Sequence, residues 1–439
     1  MRRFLFAIFL ACFRLAVSSA AWADGAVYAM TNAVGNNQIL VYHRGADGTL
    51  TLIQTIATGG GGGGAQLAPP VDSLGSQGGL ILDAGHQMLF AVNTESLAAN
   101  TQDCQEGTIT SFLVARNGKL TFANRVKSGG LYPDSLTVRN RANNEDDDDS
   151  SALLYVLNAG GPGASPACGT PPNITGFRVN SLGGMHLLPG SVQSIIDPGP
   201  LAGTGSGVNC NVGGFPTPAF DCGRNPPAFP RSPAQVRFTP DGRKLVVTVK
   251  GTNSIYVFPV GERGTPTVFQ APGPALPTFF GIAFDQQGHM LISEAFGSAT
   301  SIPMGGAGAL SSFTITNAGT LSQISASVGD GGTAACWLAV EPVTGLYAYV
   351  GNNLSNSLSS YLVGNDGSVT LLAAVAAAGS GPNDMAVATD GGVSFLYVLN
   401  SGSGTVGAFR VNLGDGSLVA LPAAGGLPAN ASAQGLAAY

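Results

Sequence analysis

The chain ends on "SAQGLAAY" (432–439), a short apolar run with nothing after it to pair with. Near the start, "AVYAMTN" (26–32) reads as a β-strand with no partner strand before it. The final run resembles "SQGGLIL" (76–82), which opens a full unit of four strand-like segments. Other units open on "AQVRFTPDG" (234–242), "LAVEPVTG" (338–345) or "DMAVATDGG" (384–392). A β-rich second strand follows, often ending in Asn, as in "LLYVLN" (153–158). Next come a variable loop, a third strand such as "ITGFRV" (174–179) or "VGAFRV" (406–411), a turn such as "GADG" (45–48), "ARNG" (115–118) or "GNDG" (364–367), and a last strand such as "SVTLLAAV" (368–375). Alternating apolar residues between Gly, Asn and Asp turns predict antiparallel strands. Four such strands make one propeller blade.

Second strands recur near Ala29, Phe90, Tyr155, Val246, Ile292, Tyr349 and Tyr397. Their spacing is roughly 60 residues, above the roughly 40–50 usual for a blade, and the excess lies in loops. The C-terminal run supplies the first strand that the N-terminal unit lacks, and this closure leaves no open sheet edge at the ends of the ring. The predicted fold is therefore all-β: a seven-bladed β-propeller of four-stranded antiparallel blades, closed by the C-terminal strand joining the N-terminal blade.

Composition agrees. Of the 439 residues, 10% are charged and 64 are Gly, with only four Lys. Average domains carry about 25% charge. Scarce Glu and Lys argue against a helical protein, and low charge with ample apolar residues argues against disorder. Residues 1–23 read as a secretory signal, with Arg2 and Arg3, an apolar stretch, and Ala21-Trp22-Ala23 before Asp24. Residues 24–439 are then a single propeller domain, exported to the periplasm or beyond, with no transmembrane anchor. Removing the leader takes three of 19 basic residues and none of 25 acidic ones, leaving about −9. That balance excludes nucleic acid as a partner.

Export permits disulfides. "CNVGGFPTPAFDC" predicts a local bridge between Cys210 and Cys222, while Cys104 and Cys168 lie in corresponding loops of successive units and form a second candidate pair. Cys336 lies inside an apolar strand and reads as a buried thiol. No Cys/His spacing of a metal site occurs, so no metal or cofactor is expected.

With strands numbered outward from the axis, first-to-second and third-to-fourth turns share one face. The other connections share the opposite face, which receives the long insertions 59–77, 94–106, 159–172, 197–231 and 295–308. Function on loops carried by a rigid scaffold is the usual division of labour. "NNEDDDDSS" (143–151) falls on the short-turn face and reads as a solvated turn, since calcium loops space their acids differently. "TGGGGGGA" (58–65) has neither Lys nor a following helix, so it reads as a flexible linker, not a phosphate cradle.

Three stretches carry a resemblance to a known family: "PAQVRFTPDGRKLVVTV" (233–249), "GPNDMAVATDGGVSFLYVLNSGSGTVGAFRV" (381–411) and "ALSSFTITNAGTLSQI" (309–324). They resemble the seven-bladed lactonase-family propellers, which include 6-phosphogluconolactonase-type and carboxymuconate-cyclising members. The resemblance extends over essentially the whole mature chain. It implies His, Arg and Glu around the central opening on the loop-rich face, and this chain departs from that pattern. Where the family's middle first strands often carry His, it has Ala234–Gln235 and Phe280–Gly281. Where Glu often follows the strand-ending Asn, blade 5 has Phe296, with Glu294 two residues early. His43, His86, His186 and His289 all map away from the loop-rich mouth.

The residues converging on that mouth are Gln77, Asp134, Arg231, Gln235, Phe279, Phe280, Trp337, Asn383, Asp384 and Gln434, with Lys250 and Glu294 ending second strands nearby. Two readings stay open. In a lactonase-type hydrolase, Arg231 or Lys250 polarises a lactone carbonyl and Asp384 or Glu294 activates water. In a non-catalytic propeller, Gln77, Asp134, Gln235, Trp337, Asn383 and Gln434 line a pocket for a lactone or sugar acid, or the long loops capture a protein or glycan. A monomer is expected in either case.

Overall fold

The computed structural model describes residues 25–64, 73–85, 87–95, 105–140, 150–160, 171–195, 233–250, 253–260, 267–270, 278–295 and 306–439. They form seven antiparallel sheets, with no helix among them. No helix of the described residues is long and apolar enough to cross a membrane. The innermost strands are Leu436–Ala438 in blade 1, then Leu80–Asp83, Pro133–Asn140, Pro233–Phe238, Phe279–Phe284, Ala335–Val340 and Pro382–Asp390 in blades 2 to 7. Six blades have four strands; blade 3 has a fifth, Gln193–Ser194, which pairs with Asn173–Asn180 as Met185–Leu187 does.

Blade 1 takes its first strand from the C-terminus. Val27, Tyr28 and Ala29 pair with Ala438, Ala437 and Leu436. The pairing continues on both sides, through Tyr439 O with Ala26 N at 3.2 Å and Gly435 O with Met30 N at 2.9 Å. Arg44 Nε donates to Tyr439 O at 3.0 Å. The seven second strands fall where the repeat places them, each between a first and a third strand of its own sheet.

Blades pack face to face, which is why their second strands read as unbroken apolar runs. Gly25–Met30, Met88–Asn93 and Tyr347–Asn352 are buried throughout, whereas the outermost Leu321–Gly329 and Leu418–Ala424 are largely exposed or half-buried. A recurrent polar fastening crosses these seams. Tyr28, Tyr349 and Tyr397 each donate to a turn glycine of the next blade, Gly118, Gly416 and Gly48, at 2.8–3.0 Å. The last of these ties blade 7 to blade 1.

The polyglycine stretch differs from the linker expected of it. Gly60 to Gly64 are buried and hydrogen-bonded, with Gly62 N on Ala33 O at 2.7 Å and Gly63 N on Asn32 Oδ1 at 2.8 Å. A Cβ at Gly62 would stand 2.3 Å from the Asn32 backbone, and one at Gly60 2.6 Å from Asn93. The glycines serve close packing between blades 1 and 2, not flexibility.

Candidate functional site

At the loop-rich end of the axis, residues 73–79 fold inward and fill the mouth of the channel. Gln77 N donates to Ala234 O at 3.0 Å and Leu136 N to Gly78 O at 2.9 Å, so the segment pairs with the first strands of blades 3 and 4. Ser76 Oγ donates to Asp134 O at 2.7 Å, and Ser135 Oγ to Gln77 O at 2.6 Å. The Gln77 amide then crosses to blade 6, where Nε2 donates to Leu338 O at 2.8 Å and Oε1 accepts from Leu338 N at 3.1 Å. Ser76 O accepts from Trp337 Nε1 at 3.0 Å and from Gln434 Nε2. Lys250 Nζ donates to Gly75 O, and to Pro233 O at 3.2 Å, and lies 5.2 Å from the centroid of the Phe280 ring.

Gly281 makes this plug possible. A Cβ there would approach Gln77 Oε1 to 2.4 Å and Cys336 O to 2.7 Å. Phe280–Gly281 is one of the two places where the family resemblance implies His, and at Gly281 the amide of Gln77 occupies the space a side chain would need.

Most of the first strands also begin irregularly. The pairing register shifts at Pro133/Ser135, Pro233/Gln235, Phe279/Ile282, Ala335/Trp337 and Pro382/Asp384. Bulges of this kind re-aim side chains beside functional sites. They turn Gln235 toward blade 5, where its Oε1 accepts from Ile282 N.

The sequence-selected residues therefore separate into groups. Gln77, Asp134, Trp337, Gln434 and Lys250 gather around the plug, all buried. Asn383 and Asp384 secure the closing tail. Asn383 Nδ2 donates to Ala433 O at 3.5 Å, and Asp384 Oδ2 accepts from Leu436 N at 3.0 Å while Oδ1 accepts from Met385 N at 2.8 Å. Glu294 stands elsewhere, in the seam between blades 5 and 6. Its carboxylate accepts from Ser311 Oγ, and from Ser327 Oγ at 2.7 Å. This is the place of the strand-ending Asn in other blades, as the pairing of Glu294 with Ala309 matches that of Asn93 with Thr108 and Asn352 with Ser357. Asn93 and Asn352 likewise bond third-strand hydroxyls, Thr110 at 3.1 Å and Ser359 at 2.7 Å. That repeated Asn-to-hydroxyl spacing was the sequence signal for the role of Glu294.

Arg231, Phe296, His86, the acidic run at 143–149 and the four cysteines Cys104, Cys168, Cys210 and Cys222 lie outside the described residues. Cys336 is buried. His289 sits in a first-to-second turn with Nδ1 2.7 Å from Asp285 Oδ2, and His186 is exposed on an outer strand. Among the described residues no cluster of His, Cys, Asp and Glu is placed to hold a metal.

Burial pushes the Glu294 carboxyl up from its ordinary value near 4.5, and the two serine hydrogen bonds only partly oppose this. A carboxyl whose pKa is raised on folding carries no penalty below its ordinary pKa and a growing one as pH rises above it. Glu294→Gln is thus expected to match or exceed wild-type stability at pH 7, the difference shrinking below about pH 4.5. Urea unfolding at both pH values measures it. A variant markedly less stable at neutral pH would contradict this account.

Beneath the plug lies an axial cavity of about 460 Å³. It runs from Gln77, Gln235 and Asp384 to the short-turn end at Thr239, Pro240 and Gly242. Arg139 and Arg237, on the neighbouring first strands of blades 3 and 4, line it. Arg237 Nη1 donates to Ile282 O at 2.9 Å, and burial pulls its pKa below the ordinary arginine range. Arg139 lies 5.8 Å from the centroid of the Phe238 ring. Neither arginine is among the residues that the sequence placed at the mouth; Arg237 follows Gln235, and Arg139 follows Thr137, at the two-residue interval that keeps side chains on one face.

Residues 310–430 match the family described as "Lactonase, 7-bladed beta-propeller". Over that span the chain is similar to the lactonase family, and its seven closed blades have the architecture which that description names. Solved structures extend the likeness to the rest of the lactonase-type ring. The periplasmic gluconolactonase of Pseudomonas aeruginosa is 17% identical with a TM-score of 0.61, covering 94% of this chain and 98% of its own. A Lactobacillus plantarum protein is 16% identical with a TM-score of 0.60, covering 95% and 99%. A Bacteroides fragilis protein provisionally named a 6-phosphogluconolactonase is 16% identical with a TM-score of 0.62, covering 96% and 99%. At these identities the likeness is one of fold. The chain matches no curated protein.

Proposed function

We propose that this lactonase-like propeller binds a lactone or sugar-acid-like small molecule in the axial cavity, as a binding protein and not a hydrolase. The observation carrying this reading is the cavity itself. Its volume of about 460 Å³ falls within the roughly 300–1,000 Å³ of small-molecule sites. Its walls mix apolar strand residues with a few convergent polar groups: Gln235, Thr137, Thr239 and the two arginines. The acids chosen for water activation have other roles, Asp384 on the closing strand and Glu294 in a seam. The leader pattern of residues 1–23 supports export, and a Lys-poor, acidic mature chain suits a soluble periplasmic binder; fractionation of cells carrying the tagged full-length protein tests that part.

Titration calorimetry with gluconate and glucono-1,5-lactone tests binding. Saturable one-to-one uptake of at least one of them is expected, together with lactone decay no faster than in buffer. Absence of binding to both overturns the reading, and protein-dependent lactone opening replaces it with the hydrolase.

A further inference from the structure

We propose that the cavity is loaded from the short-turn face and selects the ring-opened carboxylate over the neutral lactone, with Arg237 and Arg139 receiving the carboxylate. This rests on the binding reading above and specifies its ligand. The first support is access. Among the described residues the loop-rich end of the axis is filled by 73–79, anchored on blades 3, 4 and 6 through Gln77, Ser76 and their partners. The opposite end is bounded by the turn after the first strand of blade 4, where Pro240 is exposed.

The second support is charge. Arg237 is half-buried in the channel wall, yet among the described residues it makes no ion pair, and its hydrogen-bond partner is the neutral carbonyl of Ile282. A guanidinium has five N–H donors in a rigid fork, so one bond leaves a face able to take a carboxylate bidentately. Burying a charge without an opposite one is costly, and a bound anion offsets that cost. Among the described residues one carboxylate lines the cavity, that of Asp384, and its two oxygens accept from the Leu436 and Met385 backbone. With Arg139 one blade away as a second cation, the described lining is net positive. A neutral lactone can take single hydrogen bonds from these guanidiniums, whereas its hydrolysed acid can take the stronger bidentate, charge-assisted pair.

The test compares gluconate with glucono-1,5-lactone on the full mature protein by calorimetry, at low and moderate salt. Gluconate is expected to bind at least tenfold tighter, and the margin to narrow with salt. Arg237→Gln should remove that preference while Arg237→Lys retains most of it; Arg139→Gln, which leaves the Ile282 bond untouched, should reduce it. Equal or tighter lactone binding overturns this inference and leaves the binding reading intact, whereas no binding of either molecule ends both. Preference for gluconate that survives both glutamine variants in folded protein removes the arginines from the role given them.

Discussion

Removal of residues 432–439 is expected to cost most of the stability of the ring. The deletion leaves the second strand of blade 1 as an exposed edge. It takes away the backbone bonds to Ala26 and Met30, the Arg44 bond to Tyr439 and the Asp384 bond to Leu436. At about 1 kcal/mol net for each hydrogen bond, and about 1.5–3 for one to a charged group, the loss is several kcal/mol before the burial of Leu436 and Ala437 is counted. Domains carry only about 5–15 kcal/mol in all. Urea unfolding should show a large fall in midpoint or no cooperative transition. Asp384→Ala should show a smaller fall of the same kind, about 1.5–3 kcal/mol. A truncated chain that unfolds like wild type would mean that the tail does not close the ring.

Gly281→His, which restores the residue type the family resemblance implies, is expected to damage this chain. A Cβ at 281 meets the Gln77 amide at 2.4 Å, which a flexible side chain can relieve, and the Cys336 carbonyl at 2.7 Å, which backbone cannot. Overpacking of a filled core costs about 1–3 kcal/mol. A double-mutant cycle with Gln77→Ala separates the two contacts. Partial recovery in the double variant is expected, because the amide clash goes and the carbonyl clash stays. Full stability in Gly281→His alone would show that the mouth is not packed as described.

The ring was legible because its signals are local and repeated. Apolar alternation and Asp-Gly turns return in each blade, and the unpartnered tail could pair only with the unpartnered start. The mouth was not legible for a reason of the opposite kind. Gln77 meets Leu338 across 261 positions, and no pattern near either residue records the meeting. Bulges at five first strands shift the facing of residues such as Gln235 away from simple alternation. Glu294 ends a second strand near the rim, yet its side chain turns into the seam because Ser311 stands two residues beyond its pairing partner. The polyglycine run looked like a linker because composition does not distinguish a chain that is free from one tightly enclosed. Arg139 and Arg237 stand well down their strands, away from the strand starts that the repeat marks, because the cavity continues along the strands.

A crystal structure of the mature protein with gluconate tests the central claim most directly. Ligand density is expected inside the ring, its carboxylate against Arg237 and Arg139, with Gln77 still bonded to Leu338. Gluconate held among the long loops, or in a channel from which residues 73–79 have withdrawn, would contradict it.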